Sequence, residues 1–264
     1  MAEQGGKIDP MHQFLIEPAF GQQKWLVGGY DLTFTNSALW MVVTLAALWL
    51  FMLGGMKRRL VPGRWQAAVE GFTGFISSML ISNIGPQGKR FVPYVFSLFM
   101  FILFANILGL LPFGIVPGVH PFTITSHLTV TGVLALISFA IVLIVGFGKH
   151  GFHFFSLFVP HGTPVLMIPL IFVVELMSFL VRPFSLGLRL FVAMTAGHIL
   201  LKVLAGFVIN GVALGGVLGL GLVSLPSLVL MIGITLLELL VAGIQAYVFA
   251  LLTSVYLNDA VNLH

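Results

Sequence analysis

Thr35–Met56 runs for 22 residues without a charged side chain, and Phe91–Leu111 and Leu128–Gly148 each repeat the feature over 21 residues. A helix of about 20 apolar residues crosses a hydrocarbon core of about 30 Å. In lipid the backbone must satisfy its own polar groups, so runs of this kind fold as helices. The rest of the composition agrees, with 8% charged and 59% hydrophobic residues and a mean hydropathy of +1.10. A soluble domain carries about 25% charged residues. A large soluble domain and a disordered chain are both excluded. With no cysteine, disulfides, thiolate metal sites and cysteine nucleophiles are excluded as well. The net charge is +4, but the twelve Lys and Arg are scattered, which fits a report of topology better than a nucleic-acid surface.

The expected architecture is an all-α polytopic membrane protein, a single membrane domain over 1–264. Residues 1–34 read as a polar tail, with Trp25 and Tyr30 suited to the interface. The first span is 35–56, stopped by Lys57, Arg58 and Arg59. Residues 63–85 place Trp65, Val69, Phe72, Ile76 and Met79 at helical spacing and keep Arg64 and Glu70 off that stripe. This predicts an amphipathic helix in the interface, a poor transmembrane segment being the other reading. Spans 91–111 and 128–148 form a hairpin across a connector containing Pro112, Pro117, Gly118 and Pro121. Residues 149–163 form a polar break. Two long helices, 164–205 and 226–258, follow on either side of a Gly-rich turn from Gly206 to Gly221. Lys and Arg fall in 57–64, 89–90 and 149 and are missing from 112–127 and 206–226. Positive-inside logic then gives five spans, the N-terminus outside and the C-terminus in the cytoplasm.

The chemistry lies in ionisable groups at membrane depth, each costing about 2.5–3.5 kcal/mol at a helix centre. Such groups face water, one another or a partner. Glu175, Arg182 and Arg189 are spaced by seven and share one helix face, and Ser185, Ala193, Ala196 and Gly197 leave room beside Arg189 for another helix. Arginine stays charged, so it serves as a fixed gate better than as a proton carrier. Arg182, next to Pro183, has three open readings, a pair with Glu175, a reach to an interface or a direct role. Glu238 and Gln245 repeat the spacing of seven, continued by Leu252 and Asp259, with Ala242, Ala246 and Ala250 as a small-residue stripe alongside. Glu238 has no Lys or Arg within a turn, so a local ion pair does not explain it. His198, one turn before Lys202, reads either as a relay partner for Glu238 or as a satisfied core histidine. His150, His153 and His161 fit a solvated loop better than a metal site, lacking acidic or cysteine neighbours. No phosphate loop of the GxxxxGK[ST] type occurs, nor HExxH or GxSxG. No cofactor, metal or nucleotide is expected.

The string Arg182-Pro-Phe-Ser-Leu-Gly-Leu-Arg189-Leu-Phe, with Ala-Gly-His198 after it and Glu238 and Gln245 downstream, resembles the a subunit of F-type rotary ATP synthases. Asn106-Ile-Leu-Gly-Leu-Leu-Pro112 extends the likeness. The resemblance implies a non-catalytic proton-translocating stator. Arg189 would face a ring of c subunits, and His198, Glu238 and Gln245 would line an outer half-channel. Glu175 would lie toward an inner one. Ser185, Arg182, Lys202, Asn106 and Tyr256 would support them. It also implies long, strongly tilted last helices and b-type peripheral-stalk partners, with protons and membrane lipid but no nucleic acid among the ligands. The host membrane would be the bacterial inner membrane or, alternatively, the mitochondrial one. Two departures stand out. Acid and imidazole are exchanged between His198 and Glu238 relative to many bacterial relatives, and Ala193 stands where asparagine is common. A self-contained ion-coupled transporter is the rival reading, although no internal repeat supports it. An intramembrane enzyme is a weaker one.

Overall fold

The computed structural model describes residues 15, 18, 26–27, 30–31, 33–56, 62–111, 122–151, 154–155, 167–216 and 218–262. Apart from a two-residue antiparallel ladder, β1 (Leu26–Val27) and β2 (Tyr30–Asp31), the described chain is helical. The principal helices are α1 (Asn36–Gly55), α2 (Arg64–Ile84), α3 (Val92–Leu110), α4 (Leu128–His150), α5 (Ile168–Leu214) and α6 (Leu225–Val261). Lys57, Arg58, Arg59, Trp25, His153, His161 and the prolines of the 112–121 connector lie outside the described residues.

Six described helices are long and apolar enough to cross a membrane. One of them is Arg64–Ile84, the least apolar of the set, where five spans were expected. Its buried stripe is Gln66, Val69, Ile76, Met79, Leu80 and Ile84. Trp65, on the apolar stripe read from the sequence, is 54% exposed, and its indole N–H donates to the Phe51 carbonyl at 2.8 Å. Its ring also lies against Gly54, where a Cβ would collide with it.

The largest departure from the expected boundaries concerns α5. It continues nine residues beyond 205, because Gly206 and Gly211 keep helical conformation. The break comes at Gly215 and Gly216, with φ of 65° and 66°, a left-handed backbone that glycine adopts without cost. A π-helical segment, Leu218–Ser224, then leads into α6. Pro183 lies inside α5 and removes one backbone donor without ending the helix. At 1.5 Å per residue, α5 with 47 residues is about 70 Å long and α6 with 37 about 55 Å. Both lengths exceed the roughly 30 Å of a hydrocarbon core.

The chain divides into two compact units that share helices, without a linker. One comprises Met1–Leu45, Leu103–His127 and Phe191–Ile244; the other Ala46–Ile102, Leu128–Leu190 and Gln245–His264. In the second unit Tyr94 donates to Ser138 Oγ at 2.8 Å and Asn83 to Ser254 Oγ at 2.6 Å. There the end of α6 is closed by Lys149, which donates to the Val261 carbonyl at 2.9 Å and to Gln87 at 3.0 Å. A cation at a helix C-terminus is favoured by the macrodipole. His150 Nε2 also lies 3.1 Å from the Val261 carbonyl. Among the described residues no group of His, Asp or Glu could hold a metal ion.

Candidate functional site

Ionisable side chains gather in two clusters, one in each unit. The cluster of the first unit is built on α5 and α6 by two residues that share no sequence neighbourhood. His198 Nδ1 lies 3.8 Å from Glu238 Oε1, and Glu238 is only 2% exposed. Neither carboxylate oxygen of Glu238 has a hydrogen-bond partner among the described residues. Gly197 makes the approach possible, since a Cβ there would run into the Glu238 carboxylate. The Glu238 carboxyl thus keeps hydrogen-bonding capacity that no described residue takes up.

The far side of the imidazole meets the connector between α3 and α4. Thr123 Oγ1 lies 2.6 Å from His198 Nε2. The connector is fixed by fully buried Thr125, which donates to Asn106 Oδ1 at 2.7 Å, while Asn106 Nδ2 donates to the Ala242 carbonyl at 3.1 Å. Asn106 thus ties α3, the connector and α6 into one polar network, a use its motif alone did not disclose. Lys202 is half-buried one turn past His198, near enough for its charge to act on the imidazole.

The second unit holds Glu175, Arg182, Arg189, Ser185, Gln245 and Tyr256. Arg182 is the anchor. Its guanidinium donates to Asp259 Oδ2 at 2.7 Å and lies 3.8 Å from Glu175 Oε1. Its carbon stands 5.2 Å from the Tyr256 ring centroid and 5.6 Å from that of Phe179. Two carboxylates and two aromatic faces meet its charge within the chain. The pairing with Glu175 is one of the readings the sequence left open for Arg182, whereas the shorter bond to Asp259 is not among them.

Arg189 differs. It is exposed and has no ion pair or hydrogen bond among the described residues, although Tyr256 lies within its electrostatic reach. Around it α5 presents Phe184, Val192 and exposed Ser185. Gln245 is half-buried and has no hydrogen bond among the described residues.

The sequence matches the family model for the ATP synthase A chain over residues 37–258. The chain belongs to that family. Curated relatives named ATP synthase subunit a include the protein of Rhizorhabdus wittichii, 75% identical over 264 residues and the full length of both chains. That of Sphingopyxis alaskensis is 70% identical over 265 residues, again full length on both sides. The Rhodospirillum rubrum protein is 46% identical over 256 residues, covering 97% of this chain and 99% of its own. As an ATP synthase a subunit the chain is a membrane-sector, proton-translocating stator of the ATP synthase complex. Thr123 and Thr125 are the site residues that sequence reasoning missed. The signal available was a run of hydroxyl side chains, Thr123, Thr125 and Ser126, just before an apolar span.

Proposed function

We propose that this subunit carries protons through two half-channels that open on opposite sides of the membrane and meet a turning ring of c subunits. Protons pass Glu238 and His198, with Gln245 further along α6, and neutralise a carboxylate on the ring. The neutral site turns through lipid, which an ionised one could not do cheaply. On the far side it releases its proton toward Glu175, while Arg189 blocks direct leakage and draws the ionised carboxylate across the gap. One proton crossing 100 mV releases about 2.3 kcal/mol, comparable with the cost of one intramembrane charge. Driving force and gate are matched in scale.

The observation that carries this reading is the contrast at Arg189. A permanent cation on an apolar helix, exposed and without an ion pair among the described residues, suits an anion supplied by another chain. Arg182, Ser185, Lys202, Asn106 and Tyr256 support the path without carrying the proton. The chain has no nucleotide-binding motif, and ATP chemistry belongs to other subunits of the complex. The proposed setting is a bacterial inner membrane with the N-terminus outside, the C-terminus in the cytoplasm and α2 lying in the interface, where Arg64 and Glu70 reach water. Peripheral-stalk subunits of b type hold it against rotation.

The test is proton conduction by the purified chain in liposomes, compared with the membrane sector assembled from this chain, its c ring and its stalk subunits. The isolated chain is expected to conduct nothing, and the assembled sector to conduct under an imposed potential. Conduction by the isolated chain would identify a self-contained transporter.

A further inference from the structure

The hydroxyl of Thr123 has a single partner among the described residues, the His198 imidazole at 2.6 Å, and Thr123 is itself 6% exposed. Its backbone is held in place. Ser126 donates to the Thr123 carbonyl through both Oγ at 2.6 Å and backbone N–H at 3.1 Å. Gly109 of α3 lies directly against the Thr123 side chain, and any Cβ there would collide with it.

Donor and acceptor counting assigns the proton. A threonine hydroxyl carries one hydrogen, and a neutral imidazole has one N–H and one bare nitrogen. If Nε2 carried the hydrogen, the buried Thr123 O–H would have no acceptor among the described residues, and a bare Nδ1 would face Glu238. If Thr123 donates to Nε2, the hydroxyl hydrogen has its acceptor, and Nδ1–H is left on the side of Glu238 Oε1, 3.8 Å away and beyond direct hydrogen-bond length.

We infer that Thr123 is a positioning residue in the proton path: its hydroxyl donates to Nε2 and so holds neutral His198 in the tautomer whose Nδ1–H faces Glu238. The titratable groups facing the imidazole among the described residues are Glu238 on α6 and Lys202 on its own helix; the connector contributes only the neutral hydroxyl. The inference rests on the proposed role of His198 and Glu238 in the proton path. It adds a hydrogen-bond contact that sets which imidazole nitrogen carries the hydrogen.

The experiment is proton-driven ATP synthesis by the complete complex in liposomes, comparing Thr123→Val, Thr123→Ser and, as a control on the path itself, Glu238→Gln. Valine keeps the shape and removes the hydroxyl, and is expected to slow synthesis about fivefold, the scale of one lost hydrogen bond. Serine restores the hydroxyl and is expected to run at close to the unmodified rate. A normal rate for T123V beside a slow E238Q overturns this inference and leaves the path intact. Normal rates for both overturn the path and the inference together. A T123S complex as slow as T123V shows that the methyl group matters and the hydroxyl does not, which also overturns it. Nitrogen-15 NMR of the unmodified complex gives a test independent of any variant's folding. The His198 resonances, identified by their loss in His198→Gln, are expected to report Nδ1 protonated and Nε2 accepting, and the opposite tautomer refutes the assignment.

Discussion

The cluster around Arg182 and the cluster around Glu238 both place charge-bearing groups in an apolar chain, and they resolve it in opposite ways. Arg182 is surrounded by Asp259, Glu175, Tyr256 and Phe179, so its charge is answered inside the chain. Glu238 has two buried oxygens with no hydrogen bond among the described residues and one imidazole at 3.8 Å. A saturated ion cluster favours one conformation and holds its charges fixed. The carboxyl of Glu238 instead keeps hydrogen-bonding capacity that no described residue takes up. Arg189 sides with Glu238 in this respect, since it too lacks an ion pair among the described residues. On the proposed function, saturation separates groups that hold the subunit together from groups left for the transported proton and a partner.

The comparison breaks most sharply at Arg189. Arg189→Ala is expected to abolish coupled ATP synthesis in liposomes, a loss of roughly a hundredfold or more, on the scale of a deleted electrostatic contact in a dry site. Retained synthesis would remove the gate from the account. Next in size, Glu238→Gln is expected to slow driven synthesis by roughly a hundredfold while subunit stoichiometry in the purified complex stays normal, as for loss of a proton-transferring group. Gly197→Ala sharpens the same side: its methyl group falls on the Glu238 carboxylate and is expected to cost about tenfold in rate, measured in the same assay, through an overpacking strain of about 1–3 kcal/mol. The smallest effect belongs to the saturated cluster. Asp259→Asn leaves Arg182 with Glu175 and two rings, and because both partners are partly exposed the expected loss is about 1 kcal/mol of thermal stability in detergent. A D259N complex as stable as the original would show that Arg182 is not the anchor its contacts make it.

Much of this was legible along the chain. The uncharged runs set the positions of α1, α3 and α4 to within a few residues, because the cost of exposing a backbone to lipid acts locally. The spacing of seven put Glu175 beside Arg182 for the same reason, since two helical turns return a side chain to one face. The end of α5 was misjudged at Gly206. Glycine permits a break without requiring one, and the chain turns only where Gly215 and Gly216 adopt positive φ. The apolar stripe of 63–85 did not disclose that the Trp65 N–H bonds the Phe51 carbonyl of α1, because periodicity along one helix carries no information about its neighbour.

The sequence by itself determined residence in a membrane, helical secondary structure and which charges must be accommodated there. Those properties follow from the solvent and from backbone geometry repeated every few residues. Only the tertiary structure decided which charges are answered within the chain. Arg182 meets Asp259 across 77 residues, His198 meets Thr123 across 75, and Asn106 reaches the Ala242 carbonyl across 136. Hydrogen bonds and ion pairs act over a few ångströms, and packing brings such distant residues within that range.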